Sequence, residues 1–176
     1  MSAHERLRRE TRAAHERVDA RFASLNLKDP DDYRRFLMLH AIAFLPIEKA
    51  LTDAGAARLV DDWEAMRRSP ELVADLEALG LPVPSDEGGP TFDNDAEMLG
   101  AIYVLEGSRL GGAVLRKSVD PDFPHRFLSH PQPPGRWRGL VAMLERNLYE
   151  SVQVDSAVKA ARGSFAYFEQ AEWDTA

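Results

Sequence analysis

The sequence predicts an all-α fold, and two observations carry that prediction. Apolar residues recur at helical spacing over most of the chain, and no period-two alternation between turn signals is long enough to argue for a sheet. Helix-start signatures stand before several of the periodic runs and set the element order. With 176 residues and 44% hydrophobic content, the chain suits one domain over 1–176 with a sizeable core and leaves little room for a second.

The first helix follows from Leu7, Thr11, Ala14, Val18 and Phe22, one face of an amphipathic helix that ends near Ser24. In DPDDY, Asp29 suits a cap and Pro30 the first helical turn. They open a second helix through Tyr33, Phe36, Leu37, His40, Phe44 and Ile47, with a kink expected at Pro46. A shorter helix fits Ala56 to Arg67, and SPEL starts another, with Ser69 as its cap and a proline in the first turn. Leu81 to Asn94 reads as a loop. Asp93 or Asn94 then caps a long helix that runs to about Lys117 and contains YVLEGSRLGGAVL, Tyr103 to Leu115. Asp120 to Gly135 is a proline-rich connection, and two helices close the chain, Arg136 to about Tyr149 and Asp155 to about Trp173. There is no internal repeat, heptad array or low-complexity tail.

Composition removes several function classes. The chain has no cysteine, which excludes disulfides, thiolate zinc sites, iron–sulfur clusters and cysteine nucleophiles and leaves His, Asp, Glu or an external group to hold any metal. A net charge of −7 argues against a nucleic-acid binder, because no basic surplus exists to neutralise phosphates. The apolar runs fall far short of a membrane span and MSAHERLRRETR lacks the apolar core of a signal peptide, so a cytoplasmic protein with no membrane partner is expected. Arginines are nevertheless uneven: Arg6, Arg8, Arg9 and Arg12 crowd the first helix, and Arg116 and Lys117 close the glycine segment. Small anionic ligands therefore remain compatible with the acidic total.

Gly107, Gly111 and Gly112 sit where a buried helix is expected. Each costs about 1 kcal/mol relative to alanine, so together they sacrifice roughly 3 kcal/mol of helix propensity. At 100° per residue, Gly100, Gly107 and Gly111 form one narrow strip with Ser108 and Gly112 on its flank. A strip without side chains suits either a neighbouring helix crossing closely or a flat ligand lying against the backbone. A phosphate loop fits poorly, since GSRLGG neither follows a strand nor leads into Lys and Ser/Thr.

Of the five histidines, His4 lies near the terminus, and His125 and His130 lie in the proline-rich loop, where the surface is the default. His15 is at the edge of the first helix's apolar face and His40 is near the centre of the second's. A lone histidine on an apolar face is more often a hydrogen-bonded core residue than a ligand. His15 differs in its company. Asp19, one turn later, suits the Nδ1 proton and leaves Nε2 to bind a metal, and Arg8, roughly 10 Å earlier along the axis, suits an anionic group at the edge of a metal-bearing macrocycle.

LRRETRAAHERVD, Leu7 to Asp19, taken with YVLEGSRLGGAVL, resembles the haem oxygenase family, and more closely its compact bacterial members. The N-terminal pattern L-[RK]-x-x-T-x-x-x-H followed by an acid is matched by Leu7, Arg8, Thr11, His15 and Asp19. YRRFLMLHAIAFLPIEKAL also looks like the second helix of bacterial relatives, and helix order extends the resemblance over most of the chain. The resemblance implies haem b sandwiched between the first helix and the glycine helix, with His15 as proximal iron ligand and Gly107, Gly111 and Gly112 as the distal wall. It implies a reaction in which haem is both cofactor and substrate: iron reduced by an external reductase activates O2, and the ring opens to biliverdin, CO and ferrous iron. A ferredoxin or flavin-dependent reductase is the implied electron donor, since no flavin or nicotinamide motif is present, and a bacterial phytochrome is one destination for biliverdin.

The same resemblance places Arg8 and, as a plausible equivalent on the penultimate helix, Arg138 at the haem propionates, and Phe165 in the pocket wall. Ser108 is a departure. Mammalian-type members carry an aspartate at this position that organises proton-delivering waters, whereas a hydroxyl can donate and accept but holds no fixed charge. Two alternatives stay open beside the enzyme: a haem carrier or sensor that lacks turnover, for which Ser108 is the only sequence support, and a thiaminase-like helical hydrolase, which would need a cysteine this chain does not have.

Overall fold

In a computed structural model that describes residues 1–174, the last two positions of the 1–176 span fall outside the described residues. Seven α-helices and two 3-10 turns make up the regular backbone, and no strand occurs among the described residues. The helices are α1 Ala3–Ala23, α2 Pro30–Asp53, α3 Trp63–Met66, α4 Ser69–Ala78, α5 Asp95–Leu115, α6 Arg136–Asn147 and α7 Ser151–Gln170, with 3-10 turns at Ala56–Arg58 and Arg116–Ser118.

Caps explain most of the boundaries. Ser2 and Glu5 form a reciprocal capping box at α1, and the Glu145 carboxylate of α6 accepts from the Ala3 and His4 amides at 3.0 Å each. His4, expected beside a loose terminus, is thereby held in the first turn of α1. Asp29 Oδ1 accepts from the Asp31 and Asp32 amides at 3.0 Å, Pro30 takes the first turn, and α2 runs unbroken through Pro46. Asn94 caps α5 through the Glu97 amide at 3.0 Å. Glu150 and Gln153 form a capping box that starts α7 at Ser151, four residues before the expected Asp155. Here a glutamate takes the place usually held by Ser or Thr.

Two expected elements are corrected. The helix drawn from Ala56 to Arg67 is a 3-10 turn followed, after a break, by the single turn of α3. Trp63 is drawn inward, its indole N–H donating to Thr52 Oγ1 at 3.0 Å, and a continuous helix would carry the chain away from that contact. Ser69 is not the cap of α4 either. It lies inside the helix behind Arg68, and the cap comes from across the core: the buried Glu48 carboxylate accepts from the Arg68 and Ser69 amides at 2.9 Å each. A carboxylate there satisfies orphan amides and complements the positive end of the helix.

Packing centres on α7, which lies against α5, α1 and α2, while α2 also packs on α4. α2 is buried on nearly every side, from Tyr33 to Leu51, as its apolar composition demands. The stretch Asp95–Ser118 is apolar and long enough to cross a membrane, at a mean hydropathy of 1.2, contrary to expectation. Its 18-residue apolar window is 56% buried in the protein and the helix holds a buried Glu106–Arg109 ion pair. That pattern is the one a core helix shows.

His40 is a core residue, as a lone histidine on an apolar face suggests. Its Nδ1 lies 2.9 Å from the Phe36 carbonyl, within a cage of Phe22, Phe36, Phe127 and Phe168. Burial pulls its pKa from 6.5 down to about 4. The neutral ring therefore contributes stability in full above pH 6.5, and that contribution is lost as pH falls towards 4. Denaturant unfolding at pH 7 and 4.5 should show the wild type losing roughly 2 kcal/mol more than His40→Phe over that interval. Equal losses in the two proteins would mean that His40 does not take up a proton on unfolding.

Candidate functional site

Both α1 and α5 pack on α6 and α7, yet their backbones do not pack along each other. Side chains bridge the gap at one end. Tyr103 of α5 and His4 of α1 meet edge-on at a centroid distance of 6.0 Å. Burial raises the Tyr103 phenol, while Thr11 and the Arg8 charge beside it pull the other way. Tyr103 lies one turn before Gly107, so its place beside the strip was readable from spacing, although sequence reasoning gave it no role.

The glycine strip divides in two. A Cβ on Gly100 would stand 2.9 Å from Ala157 Cα and closer still to its carbonyl, so there the backbones of α5 and α7 are in contact. This half of the strip is a helix crossing. Further along, a Cβ on Gly107 would approach only Trp137, at 4.0 Å, and one on Gly111 would meet nothing within 4 Å. Gly112 faces Leu128, at 3.3 Å, on another side. The strip thus offers a flat approach to helix backbone at Gly107 and Gly111, and Gly112 belongs to the packing behind it.

His15 stands on α1 with its side chain 60% exposed, and its ring centroid is 5.9 Å from that of Phe165 on α7. The expected contact to Asp19 exists with the opposite nitrogen: Nε2, not Nδ1, is 3.4 Å from Asp19 Oδ2, and that carboxylate is 65% exposed. Four residues of helix bring the two groups together, and the ring torsion decides which nitrogen meets the acid. Phe165 is buried beside it. Arg8 and Arg138 are both exposed, on α1 and at the start of α6. A shallow depression of about 370 Å³ is lined by Gln132 to Arg138, and another of about 480 Å³ by Pro134, Gly135, Arg138, Gly139 and Ala142. Both run along α6 rather than between His15 and Gly111.

Beneath Ser108 lies a residue that sequence reasoning missed. Arg68 is 2% exposed, with its guanidinium between the rings of Phe44 and Phe127 at 4.8 and 4.9 Å. Its Nη2 donates to the Leu105 carbonyl at 2.6 Å and to Ser108 Oγ at 3.2 Å. Burial, and then the charge of Arg109, pull it down to about 9, which leaves it charged at neutral pH. Nothing in RRSPEL marks this arginine as internal. Only the fold brings it under the glycine helix.

A second buried network anchors the same helix. Glu106 pairs with Arg109 at 3.2 Å and with Arg136 at 2.9 Å, and Arg136 also reaches Asp62. Burial alone would raise the Glu106 carboxyl, but the bonds from Arg136 and Arg109 hold it below the ordinary range. Arg109 further donates to the Met66 carbonyl and to His130 Nδ1, each at 2.6 Å. His130, expected at the surface, is 7% exposed. Burial and the neighbouring Arg109 depress its pKa, which suits an imidazole that accepts from a guanidinium.

These residues test whether a flat metal macrocycle fits. α1 carries a largely exposed imidazole beside Phe165, α5 carries bare backbone at Gly107 and Gly111, and Arg8 and Arg138 are exposed cations on α1 and α6. That donor set suits haem, whose faces are apolar and whose edge carries carboxylates. Among the described residues no cluster of three or more His, Asp or Glu side chains could hold a metal ion alone.

No family profile matches the chain. It is 32% identical over 146 residues to a heme oxygenase of Xanthomonas campestris pv. campestris (strain 8004), an alignment spanning 80% of this chain and 88% of that relative. Heme oxygenase PigA of Pseudomonas aeruginosa is 31% identical over 178 aligned positions, spanning 93% and 88%. The fold superposes on the NO- and CO-bound heme oxygenase from Neisseria meningitidis with a TM-score of 0.80 and 28% identity, over 96% of this chain and 88% of that one. On the identity, the span and the shared all-helical architecture, this chain belongs to the haem oxygenase family.

Proposed function

We propose that this chain opens haem b oxidatively to biliverdin, CO and ferrous iron, with haem as both cofactor and substrate, held between α1 and α5 by one domain covering the chain. What supports this reading is the identity to heme oxygenases over most of the chain, together with a solvent-reaching His15 on α1 and bare backbone at Gly107 and Gly111 on α5. When bound, haem supplies an iron that activates O2 beside its own meso carbons.

The protein's part is to hold and orient. His15 would hold the haem iron. Its contact to Asp19 is between exposed groups and is worth well under about 1 kcal/mol, so the ring is free to turn and present a nitrogen. Asp19 then holds the ring by its other nitrogen. Arg8 and Arg138, with the Tyr103 hydroxyl, receive the propionates, and Phe165 closes the wall behind His15. Gly107 and Gly111 would let a flat macrocycle approach the α5 backbone and would restrict the space left beside it for O2, and Gly112 lets that backbone sit close to Leu128.

Ser108 holds the proton path in place of an aspartate. Its oxygen accepts from Arg68, so its own proton is free to point towards the distal side. Arg68→Met removes both bonds to α5 and should lower turnover roughly 10- to 100-fold with haem still bound, the range seen when a supporting hydrogen bond is lost. Unchanged turnover would show that Ser108 works without Arg68. Ser108→Asp should alter rate or product isomer without loss of haem.

Electrons come from a separate ferredoxin or flavin-dependent reductase in the cytoplasm; the ferrous iron is released for re-use, and biliverdin leaves, with a bacterial phytochrome as one destination. The deciding experiment adds haem, a reductant and O2 to the protein and follows the Soret band. Its decay with the rise of biliverdin absorbance is expected. A Soret band that persists under those conditions would make the chain a haem carrier or sensor instead.

A further inference from the structure

The haem reading uses the strip at Gly107 and Gly111 but gives no role to the side chain that meets it. Trp137, near the start of α6, places its Cη2 4.0 Å from where a Gly107 Cβ would be. Its ring lies 5.6 Å from that of Tyr103 at an angle of 40° and 5.9 Å edge-on from that of His4. With His4 and Tyr103 themselves 6.0 Å apart, three rings from three helices close a triangle on the α6 side of the gap. Phe165, beside His15, bounds the α7 side.

The three rings of the triangle pack on one another, two pairs edge-on and one tilted, whereas Arg8 and Arg138 are exposed side chains with many rotamers. The Trp63 indole N–H is bound to Thr52; that of Trp137 has no acceptor among the described residues, and the residue lines the depression of about 370 Å³. Trp137 thus offers the gap a flat apolar edge and an available donor.

Resting on the haem reading, we propose that Trp137 is a specificity-determining residue: it meets the edge of the ring seated on Gly107 and fixes its rotation within its own plane. An axial histidine leaves rotation about the iron–nitrogen axis free. A bare distal backbone limits tilt and the direction of O2 but not that rotation. Arg8 and Arg138 would anchor the propionates only through long, exposed side chains, and the indole packed on Tyr103 and His4 is placed to narrow further which meso carbon lies under Gly111.

Two variants test this, Trp137→Ala and Trp137→Phe, with two readouts. Proton NMR of the cyanide complex of the ferric haem protein reports in-plane seating through the haem methyl shifts, with no turnover needed, and chromatography of biliverdin reports the carbon attacked. Trp137→Ala should still form a Soret complex, with the ratio of major to minor seating, and of major to minor isomer, lowered by roughly fivefold or more. Trp137→Phe should fall between. An unchanged methyl pattern and isomer ratio in haem-loaded Trp137→Ala would overturn the proposal. If that variant does not fold, the same absence of change in Trp137→Phe overturns it. Failure of the underlying reading looks different: wild type would form no haem complex, or one that survives His15→Ala, and both proposals would then fall together.

Discussion

Haem added to His15→Ala should give little or none of the Soret complex seen with wild type, and added imidazole should restore it. His15 is 60% exposed and makes only a weak contact to Asp19, so its removal should change folding stability by no more than about 0.5 kcal/mol. Haem affinity should fall at least tenfold, about 1.4 kcal/mol at 25 °C. His40→Ala should do the reverse. Emptying the cage of Phe22, Phe36, Phe127 and Phe168 should cost roughly 2–4 kcal/mol of stability while the folded fraction still binds haem. Should the Soret complex and its rescue by imidazole follow His40 instead, the axial ligand has been assigned to the wrong helix.

Gly100 and Gly111 share a helical face but should respond oppositely to a side chain. Gly100→Ala drives a methyl into the Ala157 backbone, which cannot retreat as a flexible side chain would, and should destabilise by roughly 2–4 kcal/mol despite the gain in helix propensity. Gly111→Ala meets open space and should stabilise by up to about 1 kcal/mol, raising the melting temperature by roughly 2–4 °C. Gly111→Leu should keep the fold and impair haem binding or turnover. Thermal melts and haem titration of the three variants check this. Were Gly111→Leu to bind and turn over haem like wild type, the open half of the strip would not be the ligand face.

The cost of the glycines therefore has two separate compensations, which periodicity treats as one. At Gly100 the gain is close packing of α5 on α7, whereas Gly107 and Gly111 leave the backbone uncovered, which is a gain under the haem reading proposed above. A sequence shows that three positions share a strip, but which neighbour crosses it, and where, depends on how α7 and α6 are laid across α5. Boundaries followed the same rule. Local caps such as Asp29–Pro30 and Asn94 were readable because their partners lie within three residues. The start of α4 was misassigned to Ser69 because its cap, Glu48, is supplied from another helix.

What the sequence determined by itself was the helical class, the order of the principal helices, the His15 pattern and the glycine segment, because each is written in residues a few positions apart. The tertiary structure alone decided what lies on either side of that segment: Arg68 beneath Ser108, His130 drawn inward onto Arg109, and Trp137 with His4 set over Gly107. These partners are separated by twenty to more than a hundred positions along the chain. Only packing that buries the apolar faces of seven helices together fixes their distances, and no local periodicity encodes that arrangement.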